Sequence, residues 1–470
     1  MKILSAKQTK EADNYTIKNE PVSSLDLMER AAMGLARQLA SHYPENTSFV
    51  IYCGKGNNGG DGLALARLLC LRGCKIEVVI IEHSQNASDD FTQNLDRLKE
   101  TAVKVSHISA EEEWSTPVDD SVVIDGVLGS GLSRPLEGLI LQVVEKLNKL
   151  PNDRVAIDIP TGLFADDNSK NDLQKVLIAD HTLTFQFPKL AMIHKDTAPL
   201  CGVLNVIDIG LHPDFLASAE GKYHFVVKAE VKEFFRPRTK FSYKGTYGYG
   251  LLLAGSKGLA GAAIMSAKAA LRAGAGLLTV STPGFGLVPL LTTLPEVMVI
   301  PDEDNDKLTQ HPKLEKFTAI GMGPGIGTDN ATAAVLNRII QNHQLPMVLD
   351  ADALNILAEN GDWLKLLPAA TILTPHPGEF KRLIGVENLS WDYLNKLSEL
   401  AVSNGIIVIL KDSITTIAAP DGEIYFMDFG SPALASPGSG DVLTGVILGL
   451  LSSGYPPLKA AIMGVFLQGR

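Results

Sequence analysis

Cysteine is scarce in this chain. Cys53, Cys70, Cys74 and Cys201 are the four present in 470 residues. Cys70 and Cys74 have the spacing of one helix face, yet no second pair completes a tetrahedral metal site. Reduced structural thiols in a cytosolic protein are therefore expected. Runs of membrane-span length are missing too. The most apolar late stretch, Val442 to Leu451, is interrupted by Thr444, Gly445 and Gly449. Met1 to Asn14 alternates polar and apolar residues and holds no secretory h-region, so a cytoplasmic location is expected. Positive charge is in deficit: 42 Lys and Arg stand against 53 Asp and Glu, a net charge of −11. That balance disfavours nucleic acid or an anionic membrane as the main partner. No short repeat and no low-complexity segment is visible.

What remains is a globular composition, 45% hydrophobic and 20% charged. A chain of 50.4 kDa is too long for one ordinary core, so two domains of similar size are expected. The 42 glycines suggest tight turns and close approaches of backbone to ligand. Short β-type runs alternate with helical patterns throughout. Phe49–Cys53, Ile76–Ile81, Ser121–Asp125 and Val155–Ile159 mark the first half. Gly250–Ala254, Leu277–Ser281, Ala319–Met322, Met347–Leu349, Thr371–Leu373 and Ile406–Leu410 mark the second. Continuous apolar strands between helices predict an α/β fold with parallel sheets covered on both faces. Asp26–Ala40 reads as a helix with Leu27, Ala31, Leu35 and Leu39 on one side. Val203–Ile209 reads as a closing strand and Gly210–Gly221 as a linker, which divides the chain into residues 1–222 and 223–470.

The strand Phe49–Cys53 runs into Gly54-Lys55-Gly56-Asn57-Asn58-Gly59-Gly60-Asp61-Gly62, followed by a helix over Leu63–Arg72. A glycine-rich turn between parallel strand and helix offers bare N–H groups to phosphate. Two Asn and one Asp among five glycines are more polar than a structural turn needs, which points to a ligand. Two further strand ends carry matching chemistry. Asp125 is followed by Gly126-Val127-Leu128-Gly129-Ser130-Gly131-Leu132-Ser133-Arg134-Pro135, and Asp158 by Ile159-Pro160-Thr161-Gly162. In an open parallel sheet all three would meet in one crevice beyond the strands' carboxyl ends. One such Asp is often a helix cap, but capping does not explain all of them.

These stretches resemble the NAD(P)H-hydrate epimerase family over roughly residues 1 to 222. The resemblance implies a Rossmann-like, three-layer domain that interconverts the R and S epimers of the hydrated nicotinamide ring. It implies hydrate contacts from Asn57, Asn58, Gly59, Gly60 and Asp61, and from the run Gly129, Ser130, Gly131, Leu132, Ser133, Arg134 and Pro135. It also implies a potassium ion near Asn58, Asp125 and Thr161, where the family often has Ser at the last position. Epimerisation breaks and remakes a bond beside the ring nitrogen, so it needs a carboxylate and a second proton-transfer group. Asp158 is the first candidate. Lys189, in Phe187-Pro188-Lys189-Leu190, is the second, and an ordinary solvated lysine is the competing reading there.

The second half has its own constellation. Lys244-Gly245-Thr246-Tyr247-Gly248 and Ala254-Gly255-Ser256-Lys257-Gly258 come first. Gly321-Met322-Gly323-Pro324-Gly325, Asp350-Ala351-Asp352 and Thr374-Pro375-His376-Pro377-Gly378-Glu379 follow, and Gly438-Ser439-Gly440-Asp441 opens the last apolar helix. Gly-x-Gly-Asp at a helix start joins an anion hole to a carboxylate that can deprotonate an attacking hydroxyl. An N-cap Asp after a flexible turn is the plainer reading. Together these motifs resemble the ribokinase-like superfamily, and more closely the ADP/ATP-dependent NAD(P)H-hydrate dehydratases, over about residues 225 to 470. Hydroxide leaves poorly; phosphorylating the hydrate's hydroxyl makes phosphate the leaving group. The resemblance implies Asp441 as general base, and Ala262, Gly325 and His376 against the hydrate. It implies Lys411, Asp412, Ser413, Ile414, Thr415 and Gly440 against the nucleotide. His376 between two prolines could instead be a rigid turn. Mg²⁺ is expected with ADP or ATP, bridging the phosphates without a dedicated protein cage. NADH and NADPH hydrates are both expected as substrates, and the resemblance implies a homo-oligomer.

Three residues depart from the family pattern. Asp412 stands where Gly is typical, Pro437 where Gly usually precedes the Gly-x-Gly-Asp turn, and Ser431 where Asn is common. Asp412 adds negative charge near a nucleotide, and Pro437 removes an N–H donor. The expectation is a second site that folds but works slowly or with altered nucleotide choice. Pro457–Gln468 reads as a helix stopped at Arg470 without a cap, where the family generally continues. A truncated chain or a lineage lacking the final helices is expected there. Two other readings stay open: a small-molecule kinase fused to a binding domain, and a nucleotide sensor whose dehydratase site has decayed.

Overall fold

The computed structural model describes residues 1–118 and 120–469; the expected stop at Arg470 lies outside them. The chain forms two compact units, Met1–Gly221 and Lys222 onward. Among the described residues no helix is long and apolar enough to cross a membrane.

In the first unit the strands are β1 (Ser48–Cys53), β2 (Lys75–Ile81), β3 (Lys104–Ile108), β4 (Val122–Gly126), β5 (Arg154–Ile157), β6 (His181–Phe185) and β7 (Val203–Ile207). The helices are α1 (Ala6–Asn19), α2 (Ser24–His42), α3 (Asn57–Leu71), α4 (Asp89–Leu98), α5 (Gly138–Leu147), α6 (Leu190–Ile193) and α7 (Pro213–Ser218). Among the described residues the sheet has seven strands in the order β3-β2-β1-β4-β5-β6-β7, all parallel. The order reverses between β1 and β4, and a doubly wound sheet opens its crevice at such a point. Alternation along β1 explains the layers. Phe49, Ile51 and Cys53 enter one core with α2 and α3, while Val50 and Tyr52 enter another with α5. Helix α2 is capped by Ser23, whose hydroxyl accepts from the Asp26 N–H, and it buries Leu27, Ala31, Leu35 and Leu39.

Helix α7 occupies part of the expected linker Gly210–Gly221, and two boundaries at the cleft differ from the sequence reading. β5 ends at Ile157, so Asp158 lies beyond the strand, in a left-handed conformation with φ 63°. Helix α3 starts at Asn57, so the polar glycine run is helix rather than loop. Packing overrides the poor helix propensity of glycine there. A Cβ at Gly59 would overlap the Gly54 carbonyl oxygen, and one at Gly62 would come 2.8 Å from the Cys53 sulfur.

The second unit has strands β8 (Tyr223–Phe225), β9 (Tyr249–Leu253), β10 (Leu277–Thr282), β11 (Met298–Pro301), β12 (Ala319–Met322), β13 (Met347–Leu349), β14 (Ile372–Leu373), β15 (Ile407–Leu410), β16 (Thr415–Ala418) and β17 (Ile424–Met427). Its helices are α8 (Lys228–Phe234), α9 (Ala260–Ala273), α10 (Leu287–Thr293), α11 (Asn330–Asn342), α12 (Asp352–Glu359), α13 (Pro377–Ile384), α14 (Tyr393–Asn404), α15 (Ser439–Ser452) and α16 (Pro457–Gln468). The sheet order is β11-β10-β9-β12-β13-β14-β15-β16-β17-β8. It is parallel through β15, and β16 pairs antiparallel with both β15 and β17. Helix α15 packs tightly on α9. A Cβ at Gly445 would overlap the Ser266 carbonyl oxygen, so glycine permits the approach. The core beneath is aliphatic, with Leu252, Val348, Ile372, Ile409 and Ile447 among its buried members.

Candidate active sites

The first site is a cleft of about 520 Å³ at the carboxyl ends of β1, β4, β5 and β6. Asn57, Asn58 and Asp61 line it from α3, Gly129 to Leu132 from the loop after β4, Asp158 from beyond β5, and Lys189 from beyond β6. Lys189 is fully buried. Its ammonium pairs with Asp158 Oδ1, donates to Thr184 Oγ1 at 2.8 Å and reaches the Phe185 carbonyl at 3.3 Å. A solvated lysine is thereby corrected: the side chain is walled in by the end of β6. The pair holds Asp158 in its strained backbone conformation, the kind of strain that the surroundings must over-determine.

Beneath the cleft wall, Asp125 is buried and accepts from the Thr161 N–H at 2.8 Å, the Thr161 hydroxyl at 2.6 Å and the Val127 N–H at 3.1 Å. Burial pushes its carboxyl up to about 6 against these hydrogen bonds. The buried amide nitrogen of Asn58 has no partner among the described residues. Gly59 and Gly60 serve packing, against Gly54 and Met28 respectively. Ser133 lines an adjoining cleft of about 420 Å³ that shares Ala6, Ser130, Gly131 and Leu132 with the first. Arg134 and Pro135 are not among the residues lining either cleft.

Sequence reasoning missed the contribution of α1, which supplies Thr9, Lys10 and Asp13 to the cleft. Burial, then repulsion by Asp158, pushes the Asp13 carboxyl up to about 6, with Lys189 pulling the other way. The Asp61 carboxyl is held well above the carboxylate range by burial, then by Asp158, Asp13 and Asp90. The available signal was the polar stripe Thr9, Asp13, Thr16 on an otherwise amphipathic helix.

In the second unit the chemistry gathers around Asp350, at the end of β13. Its carboxylate accepts from Lys411 Nζ at 2.8 Å and from the Thr444 hydroxyl at 2.8 Å. Burial opposes the charged form, but Lys411 and the hydroxyls outweigh it and hold the carboxyl below its ordinary value. Gly440 belongs to this cluster, for a Cβ there would come 3.2 Å from Lys411 Nζ and 3.4 Å from Asp350 Oδ2. Asp441 sits in the first turn of α15, after Gly438 with φ 85°. Burial, then Asp350, pushes the Asp441 carboxyl up to about 6 against the pull of Lys411. Ala262 and Gly325 adjoin, since a Cβ on Gly325 would come 3.1 Å from that of Ala262.

His376 is half exposed and caps α13. Its Nδ1 accepts from the Gly378 N–H at 3.0 Å, while Glu379 accepts from the His376 N–H at 2.8 Å. Asp412 and Ser413 are exposed, Ile414 and Thr415 partly buried. Asp412 accepts from the Ser413 N–H at 2.8 Å. Asp350, Glu379 and Thr444 were not singled out from sequence. Asp350 directly follows β13 as Asp125 nearly ends β4, so the strand-end rule applied to the first half would have found it.

Residues 250–470 match the family model described as NAD(P)H-hydrate dehydratase, and residues 24–191 match the one described as YjeF-related protein N-terminus. The bifunctional NAD(P)H-hydrate repair enzyme Nnr of Moorella thermoacetica is 33% identical, over 100% of this chain and 91% of its own length. The protein of that name from Escherichia coli K12 is 33% identical, over 94% of this chain and 84% of its own. A crystal structure of the ADP/ATP-dependent NAD(P)H-hydrate dehydratase from Bacillus subtilis, co-crystallised with ATP and Mg²⁺, is 32% identical over 52% of this chain and 87% of its own, with a TM-score of 0.45. With identity of one-third along the whole chain and both halves matched in order, the chain belongs to the family of bifunctional NAD(P)H-hydrate repair enzymes.

Proposed function

We propose that the first unit epimerises the R and S hydrates of NADH and NADPH, and that the second dehydrates the S hydrate at the expense of ADP or ATP. The observation that carries the first half is the buried Lys189–Asp158 pair facing a polar cleft at a sheet switch point. The hydrated carbon bears a hydroxyl beside the ring nitrogen. Asp158 takes the hydroxyl proton, and Lys189, paired with it, keeps the carboxylate aimed. Asn57, Asn58, Asp61 and the loop from Gly129 hold the rest of the hydrate.

A potassium ion fits the floor of this site. Asp125 is a buried carboxylate with no cationic side chain paired to it among the described residues. Asp125, Asn58 and Thr161 would hold the ion through oxygen. When bound, it supplies positive charge beneath the anion-binding loops.

In the second unit Asp441 removes the hydrate's hydroxyl proton as the oxygen attacks the terminal phosphorus of the nucleotide. Burial tunes that carboxyl toward neutral pH, as a general base requires. Gly440 and the first turn of α15 offer N–H groups to the phosphoryl oxygens, and Lys411 offers charge. Phosphate then departs as the ring nitrogen's electrons form an iminium, and loss of a proton from the neighbouring ring carbon to water gives the double bond and returns the electrons to nitrogen. Mg²⁺ would be held chiefly by the nucleotide phosphates, which it bridges. A cytoplasmic location and homo-oligomer formation are proposed on the family resemblance.

The test is chromatography of mixed R and S NADH hydrate incubated with the chain, Mg²⁺, K⁺ and ADP or ATP. Loss of both epimers with recovery of NADH, faster than without protein, supports both activities. Epimer exchange without NADH recovery removes the dehydratase half. A stable phosphorylated product would favour a kinase, and tight nucleotide binding without turnover a sensor.

A further inference from the structure

The proposed epimerisation needs two proton-handling groups, and the Lys189–Asp158 pair supplies one carboxylate. A second comes from a different wall of the same cleft. Helix α1 contributes Ala6, Thr9, Lys10 and Asp13 to the lining, a spacing that puts all four on one helix face. Asp13 is partly buried and turned to the cavity, and among the described residues its carboxylate has neither a hydrogen-bond donor nor an ion pair. A polar group that folding encloses without a partner is costly, so its retention calls for a reason.

We propose that Asp13 is the general acid of the first cleft, working with Asp158 as base. The inference rests on the epimerase reading of this cleft. Asp158 takes the hydroxyl proton of the hydrated carbon, the bond from that carbon to the ring nitrogen breaks, and a carbonyl forms. The electron pair goes to nitrogen, which takes the proton of Asp13. After rotation, nitrogen re-adds to the other face of the carbonyl. Asp13 recovers its proton from nitrogen, and Asp158 returns the other to oxygen. No atom is gained or lost, no oxidant or reductant is needed, and both carboxyls end as they began.

The charges around Asp13 suit that role. Asp158 from beyond β5 repels its ionised form and Lys189 from beyond β6 favours it, while Asp61 from α3 and Lys10 on its own helix line the same cleft. On the α7 side, Tyr15 meets the His212 ring at 5.2 Å. Burial and Asp158 prevail and push the Asp13 carboxyl up to about 6, so it keeps its proton at a higher pH than a free carboxyl does. Asp13 and Asp158 thus reach one cleft from different elements, as the acid and base of one reaction must.

The test uses the full chain and the separated R hydrate, following its conversion to S across a pH series. Asp13→Asn is expected to lower kcat by about 10²–10⁴-fold with KM little changed. The wild-type decline in kcat/KM above pH about 6 should be absent from Asp13→Asn and present in Asp61→Asn, and Asp13→Glu should recover part of the rate. The proposal is overturned if Asp13→Asn keeps kcat within about threefold of wild type, or if the decline follows Asp61→Asn instead. Should Asp13→Asn fail to fold, as judged by circular dichroism, the wild-type profile and Asp13→Glu decide; a wild type without that decline overturns the proposal. A wild type that converts nothing removes the epimerase reading, and Asp13's role with it. A wild type that converts, beside an equally active Asp13→Asn, removes only the role of Asp13.

Discussion

Lys189 and Asp158 meet as a buried ion pair on residues that flank two neighbouring strands, and Asp158 makes that contact from a left-handed backbone conformation. Each explains the other. The ammonium, fully enclosed, needs a carboxylate. The carboxylate reaches it only because the chain turns sharply after Ile157, with the Asp158 N–H still bonded to the Leu183 carbonyl at 2.9 Å. A residue that tolerates positive φ is therefore required, and Asp and Asn are the non-glycine types that do so most readily.

Asp158→Asn preserves the backbone and removes the charge. It should abolish epimer exchange and destabilise the first unit by about 3–5 kcal/mol, because the Lys189 ammonium is left buried and unpaired. Adding Lys189→Met should restore most of that stability without restoring exchange. Hydrogen exchange across residues 1–221, alongside the epimer assay, checks both. If the double variant stays as unstable as the single one, the cost lies in packing and not in the unpaired charge.

Legibility followed burial pattern. β1 and β12 are mostly apolar, buried runs and read directly as strands. β3 is mostly exposed or half-buried, and β16 and β17 are short, antiparallel and preceded by turns, so their sequences carry weaker signals. The strand-end carboxylates were visible because sheet topology alone sends them to one edge. What α1 brings to the cleft was not, because it depends on how a helix docks far along the fold from β5. Nor was the enclosure of Lys189, since lysine is a surface residue by default. The helix start at Asn57 was hidden by local propensity, which reads Asn-Asn-Gly-Gly as a turn.

That last misreading makes a prediction about two glycines of the same motif. Gly56, at φ −95°, precedes α3, and a Cβ there meets nothing within 4 Å. Gly59 lies against the Gly54 carbonyl. Gly56→Ala should leave the melting temperature almost unchanged, while Gly59→Ala should cost about 1–3 kcal/mol or more through overpacking. Equal melting of the two variants would mean that the run is chosen for ligand contact alone.

Asp412 and Pro437 are both exposed, so their departure from the family pattern does not touch the core, and on the proposed function it would bear on the nucleotide. An exposed charge a few ångströms from phosphate costs about 1 kcal/mol in a watery dielectric, or roughly fivefold in affinity. Asp412→Gly with Pro437→Gly should lower the KM for ADP or ATP by about that factor and raise NADH recovery. Stability should fall by about 1 kcal/mol or less from added backbone freedom. Steady-state kinetics at fixed hydrate settle it; unchanged KM and turnover would mean that neither residue touches the nucleotide's field.

Asp441 allows activity and stability to be separated by pH. Its carboxyl titrates near 6 in the fold because burial and Asp350 disfavour the charged form. A general base works ionised, so NADH recovery should rise through pH about 6 and level off above it. Stability runs the other way. The folded state binds the proton more tightly than the unfolded chain, whose carboxyl titrates near 3.8, so this group destabilises the fold as pH rises from about 4 to 6. Asp441→Asn removes that penalty, about 1 kcal/mol once screening at a partly open site is allowed for. The variant should therefore be inactive at every pH and slightly more stable than wild type at pH 8. Thermal melts and NADH recovery on the same samples give both readings, and an inactive variant that also melts earlier would place Asp441 in the structure of the α15 turn instead of in the proton transfer.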